Sequence, residues 1–335
     1  MKNRIISFYR KNKKAIFLVI RIAISASLIA YLIKTQIKSF SDIVEILKSS
    51  DKVLLLLSLS THALGTYITA VRWKALLKTQ KVKLGTATLS VTVLIGSFFN
   101  NFLPTSIGGD VFRTYDASKK GKIPLSTSAS IILVERFSGV VSAATYAIIA
   151  LFLGFTAIGH RSVIIPIVIF FVVSVILAFL IINPSLFGLG KISGRFRFTR
   201  KLTEKLFNFY NTLASFKKYK LVLVEVLIFS FLLQFTVILN YYLAARALGI
   251  NLNLTAFIFI VPVVATIAMI PISVGGIGLR ENSLAFIMVA MGVNNEKAAL
   301  CSLLILFMLI IMGIIGGIIY IVRPYLEGRS KKNGT

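Results

Sequence analysis

The sequence predicts an all-α, multi-pass membrane protein with about six spanning helices and two re-entrant helical hairpins in an inverted-topology repeat. Three observations carry this reading. Of the 335 residues 57% are hydrophobic and the mean hydropathy is +0.88, more apolar surface than a soluble fold can cover. Apolar runs long enough to cross a bilayer alternate with short basic segments, and the net charge is +27, the pattern left by the positive-inside rule. Finally, a Pro/Gly motif occurs twice, 167 residues apart and without gaps. In Pro104 to Arg113 (PTSIGGDVFR) and Pro271 to Arg280 (PISVGGIGLR), five of ten positions are identical. Two unrelated Gly-rich turns would be the plainer account. The shared Ser and Arg, both in register, favour a duplicated half.

The elements follow in order. Met1 to Lys14 carries six basic residues and reads as cytoplasmic. Its basic start is followed by a long apolar stretch without a small-residue cleavage site, so Ala15 to Ile33 is expected to be a retained first span. Arg21 within it is placed to snorkel. Ile37, Phe40, Ile43, Val44 and Leu47 have helical spacing and predict a short interfacial helix. Val53 to Val71 is the second span, with His62 at its middle, and Arg72-Trp73-Lys74 reads as an interfacial anchor closing it.

Leu84 to Leu103 and Leu254 to Ile270 each run into one copy of the motif. Pro and paired glycines forbid a regular helix straight through, and irregular backbone at membrane depth persists only where protein or water covers it. Each copy is therefore expected to turn at Gly108-Gly109 or Gly275-Gly276 and return. Pro124 to Phe155, Ser162 to Ile182, Leu221 to Leu243 and Ala298 to Val322 supply the other spans. Asn183 to Lys220, with nine basic residues against one acidic, reads as a cytoplasmic linker. The expected organisation is a single transmembrane domain. Its first half, 15–182, holds the motif at 100–113; after the linker, 183–220, the second half, 221–322, holds its echo at 269–281. The charge distribution supports this topology: 28 of the 38 basic residues fall in inner segments and seven in outer ones, with both termini cytoplasmic. Two fully spanning hairpins would move the nine-charge linker outside.

Some functions are disfavoured. The basic residues cluster between apolar runs, which is explained without a nucleic-acid partner. One cysteine, Cys301, and two distant histidines, His62 and His160, offer no disulfide and no metal signature, so neither metal nor cofactor is expected. HExxH, P-loop and GxSxG patterns are absent. Asp110 with Glu135 would be a conceivable acid/base pair, but nothing in the spacing prefers that over ion pairing, and no catalytic residue is assigned.

What remains is buried charge. Arg113, Arg136 and Arg280 lie at depth, at a cost of roughly 3 kcal/mol each. Asp110, Glu135 and Glu281 are available as partners. Asp110 and Arg113 form an i,i+3 pair. The adjacent pairs Glu135-Arg136 and Arg280-Glu281 point about 100° apart around a helix and are expected to bond across helices instead. Two readings stay open: a structural salt-bridge network locking the hairpins, or a hydrophilic cavity for a phosphate-bearing head group, for which Arg is the bidentate ligand of choice. On the second, Arg113, Arg136, Arg280, Asn100, Asn101, Gly108, Gly109, Gly275 and Gly276 bind substrate, and Asp110, Glu135 and Glu281 form a gating network. Ser106, Ser273 and Asn282 are neutral donors nearby, or turn and capping residues.

Three stretches carry a resemblance: NxxxPxxxGGDxxR at Asn100 to Arg113, Glu135-Arg136-Phe-Ser-Gly139, and PxSxGGxGxRE at Pro271 to Glu281. Together they resemble the flippase-like family, the transmembrane region shared with lysylphosphatidylglycerol synthase, also called multiple peptide resistance factor. The resemblance covers roughly Ala15 to Arg323. It implies a stand-alone polytopic protein of the cytoplasmic membrane that moves a lipid head group between leaflets, with a phospholipid or a polyprenyl-phosphate-linked lipid as its partner. The soluble aminoacyl-transfer domain of the two-part synthases has no counterpart before Thr335, so lysyl transfer is not carried over. The alternatives are an accessory subunit for a separate synthase or glycosyltransferase, and an ion-coupled transporter of small solutes.

Overall fold

The computed structural model describes residues 2–37, 39–102, 107–152, 211–270 and 272–332, together with isolated positions between 169 and 179. Ten α-helices are named here: α1 (Lys2–Gln36), α2 (Phe40–Ser49), α3 (Lys52–Thr79), α4 (Thr86–Phe102), α5 (Gly108–Gly121), α6 (Leu125–Phe152), α7 (Lys220–Ala247), α8 (Leu254–Ala268), α9 (Leu279–Ala290) and α10 (Asn295–Lys332). No strand occurs among the described residues.

Five helices contain stretches long and apolar enough to cross a bilayer: Val19–Gln36, Lys52–Thr79, Leu125–Ala150, Lys220–Ala247 and Asn295–Pro324. They match five of the six expected spans. The sixth, 162–182, and the linker up to 210 lie almost wholly outside the described residues. The motif-bearing helices are shorter, with 17 and 14 residues in α4 and α5 and 15 and 12 in α8 and α9. At 1.5 Å per residue each falls short of the ~30 Å hydrocarbon core.

Helix starts follow local chemistry. The Asp51 carboxylate accepts the amides of Val53 and Leu54 at 2.8 and 3.1 Å to open α3, and Asn253 accepts the Ala256 amide at 2.9 Å to open α8. Both are side-chain caps for amides that a helix leaves unpaired. The amphipathic α2 forms as its spacing predicts and buries Ile43.

Packing crosses the two halves. Helix α3 lies along α7, α4 along α10, and α8 along α6. Within each half, α4 meets α5 and α5 meets α6, as α8 meets α9 and α9 meets α10. Exchanging α3 with α7, α4 with α8, α5 with α9 and α6 with α10 maps the α3–α7 contact onto itself and each of the others onto another of them. The joints are close. A Cβ on Gly316 of α10 would stand 2.0 Å from the Leu94 carbonyl oxygen, and one on Gly317 would stand 2.8 Å from the Phe98 ring, so the α4–α10 seam is backbone on backbone. The contact is made by two adjacent glycines, Gly316 and Gly317. Two apolar cores result. One gathers Trp73, Leu76, Leu89, Ile131 and Phe216; the other gathers Ile238, Phe257, Ile260, Leu284 and Met288.

Candidate functional site: a buried guanidinium–carboxylate cluster

Helices α3, α5, α6 and α7 bring four elements' polar groups to one place inside the bundle. Glu135 of α6 is 2% exposed. Its carboxylate accepts Arg72 Nη2 of α3 at 2.9 Å and Arg113 Nη2 of α5 at 2.8 and 3.0 Å. Arg72 Nη1 donates to Ser230 Oγ of α7 at 3.0 Å, and Ser230 shares a 2.8 Å hydrogen bond with Ser138. The Arg113 guanidinium also lies 4.4 Å above the Trp73 ring, a desolvated cation–π contact. Both Arg72 Nε and Arg113 Nε are buried without a partner among the described residues.

Asp110, in the first turn of α5, lies between two more guanidinium contacts. Arg136 Nε bonds its Oδ2, and Arg113 Nη1 is 3.7 Å from its Oδ1. Arg136 differs from the other arginines here, because its side chain is 46% exposed against 9% for Arg113. The cluster holds three arginines and two carboxylates, a surplus of one positive charge. A carboxylate held by two guanidiniums at a helix N-terminus occupies the place where a phosphate binds well.

The first motif shapes this site through α4. Asn100 Oδ1 accepts the Gly109 amide at 2.8 Å, capping α5 from the neighbouring helix. A Cβ on Gly109 would lie 2.2 Å from the Gly96 carbonyl oxygen, so only glycine lets α5 cross α4 there. Asn101 Nδ2 instead donates to the Leu309 carbonyl of α10 at 2.7 Å. The expected turn at Gly108-Gly109 is corrected: both glycines are the first residues of α5. Asn100 supplies the cap that lets the helix start at Gly108.

The second motif behaves differently. Gly275, Gly276 and Gly278 have φ of +59°, +80° and +86°, a left-handed turn that glycine adopts freely. Helix α9 starts only at Leu279. The expectation that Arg280 and Glu281 bond across helices is overturned here. Arg280 Nε and Nη2 both donate to Glu281 Oε1, at 2.8 and 2.6 Å, and Glu281 Oε2 accepts the Gly278 amide. The N3 glutamate reaches back over the helix start, one half of a capping box, and this draws its carboxylate to the neighbouring arginine. Ser273 is buried and its Oγ has no partner among the described residues. Asn282 donates to the carbonyls of Leu28 and Gly278.

The two motifs meet: a Cβ on Gly275 would come 3.3 Å from the Asn100 carbonyl oxygen. The arginines do not form one site. Arg113 and Arg136 belong to the α3–α5–α6 cluster, while Arg280 pairs within α9; its other electrostatic neighbours include Tyr241 of α7 and, from α3, His62. The expectation that Glu135 and Arg136 each bond to another helix holds. The reading of Arg72-Trp73 as an interfacial anchor does not, since Arg72 is 5% and Trp73 0% exposed. An Arg-Trp pair closing an apolar run looks the same whether it meets lipid head groups or a carboxylate on another helix. Ser106 lies outside the described residues.

Known membrane proteins are similar to this chain in sequence. A UPF0104 membrane protein of Methanothermobacter thermautotrophicus is 24% identical over 306 residues, covering 86% of this chain and 89% of the relative. A UPF0104 membrane protein of Pyrococcus horikoshii is 24% identical over 305 residues, 82% of this chain and 89% of the relative. A third, from Methanocaldococcus jannaschii, is 28% identical over a shorter stretch, 37% of this chain and 35% of the relative. The family model described as the lysylphosphatidylglycerol synthase TM region matches residues 18–317, and the chain is thus an integral membrane protein that belongs to that family.

Proposed function

We propose that this protein is a lipid translocase that moves a phosphate-bearing lipid head group between leaflets, rather than an enzyme. The observation that carries the reading is the Asp110 carboxylate held by Arg113 and Arg136 at the start of α5. It is an anion seat inside the bundle, occupied by the protein's own side chain and bordered by a half-exposed arginine. A phosphate competing for these guanidiniums displaces Asp110, while Glu135 keeps Arg113 in place. The exchange-symmetric packing supports an inverted repeat with two re-entrant hairpins. In that arrangement Arg280 and Glu281 form the counterpart seat in the second half, and Gly275 meets Asn100 where the hairpins approach each other. On this reading the membrane is the cytoplasmic one, as the resemblance implies, and both termini lie inside, which the distribution of basic residues supports.

The test is lipid movement in proteoliposomes, with fluorescent phosphatidylglycerol and a polyprenyl-phosphate lipid compared side by side. Wild type is expected to move one of them, and Arg136→Ala and Arg280→Ala are expected to abolish movement while eluting as folded protein. Equal movement in wild type and both variants removes the assignment of these arginines. No movement of either lipid removes the translocase reading and favours an accessory subunit of a synthase or glycosyltransferase.

A further inference from the structure

Helix α1 stands at the edge of the bundle and is fastened to the second motif. Ser25 Oγ accepts the Val274 amide at 3.0 Å, Asn282 Nδ2 donates to the Leu28 carbonyl at 2.8 Å, and a Cβ on Gly278 would strike Leu28 Cβ at 2.6 Å. Beside this joint runs a groove of about 520 Å³, whose lining includes Ile22, Ala26, Ile29 and Ile33 of α1 with Val274 and Ile277 of the motif. Among the described lining residues Ser25 carries the one hydroxyl, which the Val274 amide already uses. We infer that this groove is the seat for one acyl chain of a phospholipid whose phosphate is held at Arg280.

The inference rests on the translocase reading and adds where the hydrocarbon goes. Its surroundings and dimensions select the occupant. Val19–Gln36 is a candidate membrane span with most of its surface exposed, so hydrocarbon is the medium that meets the groove. From Ile22 to Ile33 the groove runs about 16 Å along the helix axis, close to the ~15 Å half-thickness of a hydrocarbon core. An acyl chain fills that length, whereas a polyprenyl chain of many isoprene units would overrun it. The volume falls within the ~300–1,000 Å³ of sites that take one small ligand. Arg280 follows Ile277 by three residues, within about 11 Å of it along the chain, and its side chain is 17% exposed. The small side chains of Ala26 and Ala30, one helical turn apart, open the groove.

The test uses the full chain in nanodiscs containing phosphatidylglycerol with a diazirine near the end of one acyl chain. After illumination, the labelled residues are mapped by mass spectrometry. Labelling is expected to concentrate on Ile22, Ala26, Ile29 and Ile33, and to be competed by unlabelled phosphatidylglycerol. It is expected to fall about tenfold in Ala26→Phe/Ala30→Phe, which fills the groove with side chains that stay outside the core. Labelling spread evenly over Val19, Tyr31 and the groove, and insensitive to competition, overturns the inference as annular lipid only. The wild-type map decides this even where the double variant does not fold. Lipid movement measured on the same preparation separates the two readings. Specific groove labelling without movement leaves the seat standing and removes the translocase; movement with only annular labelling does the reverse.

Discussion

Arg113 on α5 reaches both oxygens of Glu135 on α6 through a single nitrogen, at 2.8 and 3.0 Å. Glu135 also takes Arg72 from α3, so one buried carboxylate joins three helices. That relationship makes Glu135 the keystone of the first half, and it separates the structural part of the cluster from the part open to ligand.

Replacing Glu135 leaves two guanidiniums buried without their carboxylate. Glu135→Ala is expected to cost about 3–5 kcal/mol of stability, read as a large fall in thermal unfolding temperature in detergent. Glu135→Leu combined with Arg72→Met and Arg113→Met should recover much of that loss while remaining inactive. A single Glu135→Ala that unfolds like wild type would show that the cluster carries little stability.

Asp110 pairs with the half-exposed Arg136. On the proposed function, Asp110→Asn removes the internal competitor and should tighten binding of phosphatidylglycerol severalfold, whereas Arg136→Ala should weaken it by about tenfold, the value of one charge-assisted hydrogen bond. Lipid titration by native mass spectrometry measures both. Opposite signs for the two variants are the expected result; a loss in both would mean that Asp110 helps to hold the lipid.

Gly109→Ala puts a Cβ 2.2 Å from the Gly96 carbonyl oxygen. Neither helix backbone can yield by that much locally, so the α4–α5 pair must part, at a cost of about 3 kcal/mol or more. Gly85→Ala is the control, since its nearest neighbour would be Thr88 Oγ1 at 3.9 Å. Folded yield and unfolding temperature should drop for the first and hold for the second.

The α3–α7 seam has its own polar rivet. Asn240 Nδ2 donates to the Ser58 carbonyl at 2.7 Å and to Ser58 Oγ at 3.0 Å, and Ser58 Oγ donates to the Asn240 carbonyl at 2.9 Å. Inter-helix hydrogen bonds in lipid are worth about 0.6–2 kcal/mol. A double-mutant cycle of Ser58→Ala and Asn240→Ala reads the side-chain pair, Asn240 Nδ2 to Ser58 Oγ, and should return a coupling in that range; a coupling near zero would show that this hydrogen bond adds nothing to the seam.

Much of this molecule is legible in order along the chain. Apolar length gives α3, α6, α7 and α10, and the periodicity of Phe40 to Leu47 gives α2, because each depends on residues within a few turns of one another. The paired motifs give the neighbourhood of the site. Arg113, Arg136, Asp110 and Glu135 are recognisable because charge at membrane depth is expensive and needs partners. Arg72, Ser230 and Asn240 were not recognisable, since each lies near a helix end or within an apolar run where a polar residue has many uses.

A helical membrane protein with a duplicated Pro/Gly motif and a small set of buried charges is readable from the chain alone, since hydropathy, charge placement and internal repetition are linear properties. Which charges belong together emerges from the packing of the helices. Glu135 takes Arg72, 63 residues away, and Arg113; Asp110 takes Arg136; and Glu281 folds back on Arg280 beside it. Pairing is set by how close two helix backbones come, and that distance depends on contacts such as Gly109 on Gly96 and Gly316 on Leu94. A local pattern of residue types names the candidates for those contacts, but their partners lie on other helices, whether 13 residues away as for Gly109 and Gly96 or 222 as for Gly316 and Leu94, and appear only once the helices have packed.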